Sequence, residues 1–269
     1  MQRFVADLGR FGGFFLGLSQ ACCAAACLGP VLAVQTGIER SVWQEFSEQG
    51  KQLVREQGNL PFTALSTQLT CDRGTFALRG AVAQGVRDYS GVSNKGQALT
   101  TQSTLRNSEL LLSYSYPINP QWEPYISAGI SRSKRDIRSV GSVLGYPEEF
   151  QMFPVQLGIK WRPMRLDNRL LLLAHAGSAF QPRVTVELPG RDALTLDLGR
   201  TLSAGVSAEL ELGQMARGQF VLATQWNSTR IARGAAGVVT SDGVPRGVAV
   251  QPRSQLTQTQ LSILWRKSL

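Results

Sequence analysis

The chain has 269 residues, 43% of them hydrophobic, with 28 Lys and Arg against 19 Asp and Glu. That length suits one large all-β domain or two small ones. No run of about 18 apolar residues follows the N-terminal region, which argues against a transmembrane helix there, and the basic excess comes without a basic helix, zinc spacing or aromatic RNA-binding motif, so nucleic acid is not an expected partner.

The N-terminus reads as a secretory signal. Arg3 and Arg10 give a positive start, Phe11 to Leu28 is apolar and small, and Val31-Leu32-Ala33 offers small residues to a signal peptidase. Residues 1–33 are therefore expected to be the signal peptide, cleaved after Ala33, and 34–269 the mature domain. A retained anchor is the alternative. A lipoprotein signal is a further one, although none of Cys22, Cys23 and Cys27 has Leu three residues before it. Cleavage after Ala33 would leave Cys71 alone, with no intramolecular disulfide.

The mature chain reads as ten strands. After a short lead, Val34–Arg40, they are Ser41–Glu48, Lys51–Cys71, Thr75–Asp88, Gln102–Tyr116, Trp122–Ile137, Glu149–Arg162, Arg169–Val186, Leu194–Leu212, Gln219–Ala232 and Arg253–Leu269. Turn residues mark nearly every boundary. The clearest strand is Leu194–Leu212, LTLDLGRTLSAGVSAELEL. Every second residue from Leu194 is apolar except Arg200, and the other set is Gly, Ser, Thr and acidic. A strand with one dry face and one small polar face fits the wall of a membrane barrel with a wet interior. Connections at 72–74, 117–121, 163–168 and 213–218 are short, while 89–101, 138–148 and 233–252 are long. Outer-membrane barrels place short turns in the periplasm and long loops outside. The expected fold is all-β: an antiparallel up-and-down transmembrane barrel of about ten strands.

The outward faces carry two belts. Phe76, Tyr114, Tyr116, Trp122, Trp161, Phe220 and Trp265 fall near the inferred periplasmic ends, as an interfacial aromatic girdle would. Arg106, Arg132, Lys134, Arg200 and Arg230 share the outward phase at the other end, where lipopolysaccharide phosphates would meet them. A solvated basic rim explains the same pattern. The inward face carries mixed charge: Arg79, Arg87, Glu109, Glu123, Arg135, Lys160, Arg162, His175, Arg183, Asp197, Glu209, Glu211 and Arg266. Ten strands lie close to the width that side chains fill, so a paired charge network is expected inside.

The signal sequence, the alternating strands and the last segment, Leu261-Ser262-Ile263-Leu264-Trp265-Arg266-Lys267-Ser268-Leu269, resemble Gram-negative outer-membrane β-barrel proteins. Such proteins commonly end in an aromatic residue read by the barrel-assembly machinery, and this chain ends in Leu269. The resemblance implies outer-membrane location, outer-membrane lipids including lipopolysaccharide and the assembly machinery as partners, and a monomer. Ten strands is also the count of the omptin proteases, a match of architecture only. The single histidine, His175, points inward near mid-barrel with no acidic partner of the omptin kind, and Ser178 lies on the opposite face. No metal spacing, GxSxG or phosphate loop is present. No catalytic residue, metal or cofactor is assigned. Three functions stay open: a structural, surface-interaction or narrow-channel barrel, an outer-membrane hydrolase with a site at the extracellular rim, and a soluble secreted β-barrel binding a lipid-like ligand.

Overall fold

Alternation with period two closes the chain into a cylinder. The computed structural model describes residues 26–92, 96–164, 169–215 and 218–269. Its strands are β1 (Val31–Phe46), β2 (Gln52–Cys71), β3 (Gly74–Val92), β4 (Ala98–Ser115), β5 (Trp122–Ile137), β6 (Pro147–Trp161), β7 (Leu170–Val186), β8 (Leu194–Asp197), β9 (Thr201–Met215), β10 (Gly218–Ile231), β11 (Ala236–Ser241), β12 (Val244–Val250) and β13 (Arg253–Ser268). Ten long strands pair antiparallel with their neighbours, and β13 closes on β1 from Val31↔Ser268 to Phe46↔Arg253. Closure leaves the long strands no free edge, which is what a sheet needs to cross lipid. The turns after Cys71 and Ser115 and both ends of the described chain share one end of the barrel, where the Leu269 amide donates to the Pro30 carbonyl, while the tight Ser47–Lys51 turn lies at the other.

The outer wall is apolar and uncovered. Leu157 is 63% exposed, Leu261 60% and Val206 52%. In water so wide an apolar surface would drive association; in a bilayer it is the solvated face. The aromatic residues pair across strands at the short-turn end. Trp122 stacks on Trp161 with ring centres 5.5 Å apart, Phe76 lies 4.9 Å from Tyr114, and Phe220 is in register with Trp265.

Several sequence expectations need correction. The barrel starts earlier than position 34: Val31–Ala33 pair with β2 and β13, and Ala33 is buried against Val221 and Leu264. The boundary expected after Ala33 therefore falls inside β1, while residues 1–25 of the signal reading lie outside the described residues. Cys71 is not alone but bonded to Cys27. The apparent lead Val34–Arg40 is strand. The longest loop holds a hairpin, β11–β12, closed by a turn in which Asp242 and Gly243 both have positive φ, a backbone that Asp-Gly adopts readily.

Leu194–Leu212 is not one strand. β8 pairs with the upper half of β7 (Val186↔Leu194) and β9 with the lower half (Ala179↔Thr201), and Leu198–Arg200 step between them. Below the step Leu202, Val206 and Leu210 face outward; above it Leu196 and Leu198 are buried inside. β7 breaks at the same height, at Gln181 (φ 44°) and Pro182, whose carbonyl accepts from the Leu198 amide at 2.8 Å. The two irregularities shift both strands by one face together, so the ladder survives. The same shift carries Arg183 and Asp197, expected in the lumen, to the exposed surface, where they pair at 3.2 Å.

The outward phase of the lower wall is open to test. Val206→Arg should destabilise the inserted barrel by about 2–4 kcal/mol, since a charge at the bilayer midplane lacks solvation. Ser207→Asn, on the other face, should cost far less. Urea unfolding in lipid vesicles reads both.

Candidate functional site

The inward side chains build three levels in the lumen. Near the short-turn end, Glu123 on β5 accepts from Lys160 at 2.6 Å, from Arg162 at 3.1 Å and from the Ser115 hydroxyl at 2.5 Å. Arg266 on β13 pairs with Glu209 on β9. A little higher, Arg79 donates to Glu109 at 3.2 Å and to Gln35 at 3.4 Å, and Gln35 donates to Ser262 at 2.8 Å. These are the expected network residues, joined into ion pairs by strands that lie close in the wall. Glu211 and His175 join none of the ion pairs.

The upper level is the most buried. Arg135 on β5 reaches across the lumen to Glu56 on β2 (2.8 Å) and Glu45 on β1 (3.0 Å), and also pairs with Glu148 on the adjacent β6. Its guanidinium lies 5.2 and 5.6 Å from the rings of Trp43 and Phe150, which are themselves 5.3 Å apart and in contact with each other, and cation–π attraction adds to the ion pairs there. Trp43 Nε1 donates to Glu45, the Ser103 hydroxyl donates to Glu56, and Arg87 donates to the Ser41 hydroxyl at 2.6 Å. Side-chain exposure is 4% for Arg135 and 0% for Glu56. Arg87 and Arg135 were legible as inward charges. Glu45, Glu56 and Glu148 are not among the inward charges expected from the sequence: Ser41–Glu48 and Lys51–Cys71 carry no assigned inward face there, and Glu148 falls in the 138–148 connection.

Beside this roof Trp43, Phe150, Val184, Val186, Leu196, Leu198 and Ile231 form a buried apolar cluster. Two of its seven members, Leu196 and Leu198, come from the stretch expected to face lipid.

Between roof and lower levels lies a chamber of about 190 Å³. Ala81, Ala83, Ser131, Ser133 and Ser203 line much of it. His175 projects into it beside Asn227: a Cβ on Gly205 would stand 2.0 Å from Asn227 Oδ1 and 2.8 Å from His175 Nε2, so only glycine lets these side chains meet over β9. Among the described residues no acidic side chain pairs with His175, and the Ser178 hydroxyl donates to the Thr201 carbonyl at 2.6 Å. Among the described residues no group of three His, Cys, Asp or Glu is placed to hold a metal.

At the outer surface, Arg106, Arg132, Lys134, Arg200 and Arg230 are all exposed. Arg106 is in register with Lys134, which pairs with Glu149 at 2.9 Å. The hairpin tip is tied down by Asp192 in the β7–β8 connection. Its carboxylate accepts from the Thr240 hydroxyl at 2.6 Å and from the Gly243 and Asp242 amides at 3.0 and 3.3 Å. The Thr240 hydrogen bond leads in holding the Asp192 carboxyl below the ordinary aspartate range.

No protein-family model matches the chain, and no curated protein does. Solved structures do. The crystal structure of the outer-membrane protease OmpT from Escherichia coli superposes with a TM-score of 0.56 at 9% identity, covering 90% of this chain and 97% of that one. The translocator domain of the autotransporter NalP from Neisseria meningitidis gives 0.46 at 11% identity over 97% of each chain. The toluene transporter TodX from P. putida gives 0.37 at 10% identity over 90% of each. At such identities the likeness shows the fold: the closed antiparallel β-barrel of Gram-negative outer-membrane proteins.

The roof makes a quantitative expectation. Arg135→Met would leave three buried carboxylates without their main counter-ion, a change worth about 3–5 kcal/mol. Arg183→Met breaks an exposed pair worth about 0–1 kcal/mol. Unfolding midpoints in detergent, followed by the gel shift of the heated barrel, separate the two.

Proposed function

We propose that the protein is a monomeric outer-membrane barrel, closed as a pore, that serves as a rigid platform for its extracellular end. The observation that carries this is the obstruction of the upper lumen: the Arg135 ion cluster spans it, and the apolar cluster of Trp43, Phe150 and Val184 packs beside that cluster. An aqueous conduit needs a continuous wet path, and about ten strands leave little width beyond what long side chains fill. The surface role rests on the β11–β12 hairpin. It stands beyond the wall, is fixed by Asp192, and exposes Val238, Val244 and Val248, the last at 71%. A proteolytic role is not favoured, since the single histidine sits beneath the roof in a polar chamber without a carboxylate partner. In planar bilayers the purified protein should give no steady conductance at moderate voltage. Regular open-channel steps from the parent would replace this reading with the narrow-channel one.

The partner at the outer leaflet is proposed to be lipopolysaccharide, through phosphate contacts to Arg106, Arg132, Arg200 and Arg230. Support comes from their exposure on the wall above the apolar band and from the fit of guanidinium forks to phosphate. Changing all four to Gln should weaken lipopolysaccharide binding, and the parent's advantage should shrink as salt rises. Folding in neutral detergent should not change. Equal binding by parent and variant at low salt would leave these residues as a solvated rim.

A further inference from the structure

The residues just upstream of β1 are built into the barrel's periplasmic end. The Leu28 amide donates to the Thr70 carbonyl at 2.8 Å, and the Asp72 amide to the Ala26 carbonyl at 3.1 Å. The Asp72 carboxylate accepts from the Ala26 amide at 3.3 Å. Cys27 is bonded to Cys71 and bridges it in the sheet. Removal of residues 1–33 would strip the disulfide, break the Leu28–Thr70 hydrogen bond and take Val31–Ala33 out of β1, including buried Ala33 at the closing seam. A cut just upstream of Cys27 gives up the two Ala26–Asp72 bonds and keeps all of these. Within Ala21–Ala26 only one bond has alanine both one and three residues before it: Ala24-Ala25-Ala26 preceding Cys27. Small residues at those two places are what a signal peptidase admits.

We propose that the export signal is cut between Ala26 and Cys27, so that the mature barrel begins at its own disulfide. Water adds across that peptide bond, leaving a carboxylate on Ala26 of the released peptide and an ammonium on Cys27. The Asp72 carboxylate, which the Ala26 amide meets in the uncut chain, then stands one residue from the new cation. The Cys27 and Cys71 thiols give up two electrons and two protons to a disulfide-bearing oxidant of the periplasm, which is reduced to its dithiol. A thiol held in this bond is not available for the thioether of a lipoprotein. The inference rests on the chain being exported to the outer membrane.

Mass spectrometry of the protein from fractionated Gram-negative cells tests both readings apart. The expected product lies in the outer-membrane fraction, begins at Cys27, and gains two hydrogens on reduction. An outer-membrane protein that begins at Val34, has a free Cys71 thiol or carries diacylglyceryl on Cys27 would overturn the cleavage proposal and leave the location standing. A chain that stays in the cytoplasm and still begins at Met1 would overturn both. Pulse-labelling provides an arm that needs no folded barrel: Ala26→Leu should accumulate precursor, and Ala33→Leu should be processed at the parent rate. The reverse pattern refutes the assignment.

Discussion

One buried cation holds the upper half of this barrel together. Arg135 meets carboxylates from β1, β2 and β6, and two of those strands lie across the lumen from its own. Taking charges out of water costs several kcal/mol per ion, and that cost is offset only when partners are close and the remaining hydrogen-bonding capacity is met. Here Ser103, Trp43 and Arg87 supply the additional partners to the acidic cluster. The cluster thus fixes the distance between opposite walls, which backbone hydrogen bonds alone do not, since each ladder ties a strand only to its neighbours. The two aromatic rings beside the guanidinium belong to the apolar cluster, so the ionic and apolar layers share Trp43 and Phe150.

The matched irregularities in β7 and β8–β9 explain why a membrane barrel has a dry core at one end. Below Gln181 and Arg200 the apolar residues face out; above, the same sequence parity turns them in. A wall whose outer surface carries Arg183 and Asp197 suits water, not hydrocarbon. The chain changes solvent at that height, and its side chains change face with it. Below the step the barrel is organised by lipid outside and ion pairs inside. Above it the arrangement is that of a soluble β-protein, with polar residues outside and packed apolar groups within.

The strand count and the outward phase of the lower wall were legible because they depend on local periodicity, and period two persists through ten strands. Trp122 and Trp161, for example, follow from phase alone, and the register then places them opposite each other. Other features depend on one-residue shifts or on distant partners. In LTLDLGRTLS the step at Leu198–Arg200 shows only as the single Arg200 in the apolar set, and the alternation resumes after it in the same parity, so no change of face is signalled. Glu45, Glu56 and Glu148 are remote in sequence from Arg135, and only the closed wall brings them to it. The Cys27–Cys71 bond was hidden because the boundary expected after Ala33 set Cys27 outside the barrel, whereas β1 pairs from Val31 onward.

The position of the chamber follows from barrel size and side-chain length together. About eight strands make an interior that ordinary side chains fill. Two more widen it enough that only long residues span the gap. At the roof this is Arg135, which reaches Glu56 and Glu45; lower down Arg79, Lys160 and Arg266 pair only with strands one or two places away in the wall. Between them the strands contribute Ala81, Ala83, Ser131, Ser133, Ser203 and Gly205, none of which reaches the axis. Empty space remains where the inward residues are small. The lumen is consequently segmented rather than uniformly narrow, with long side chains at defined heights and small ones in the wall between them.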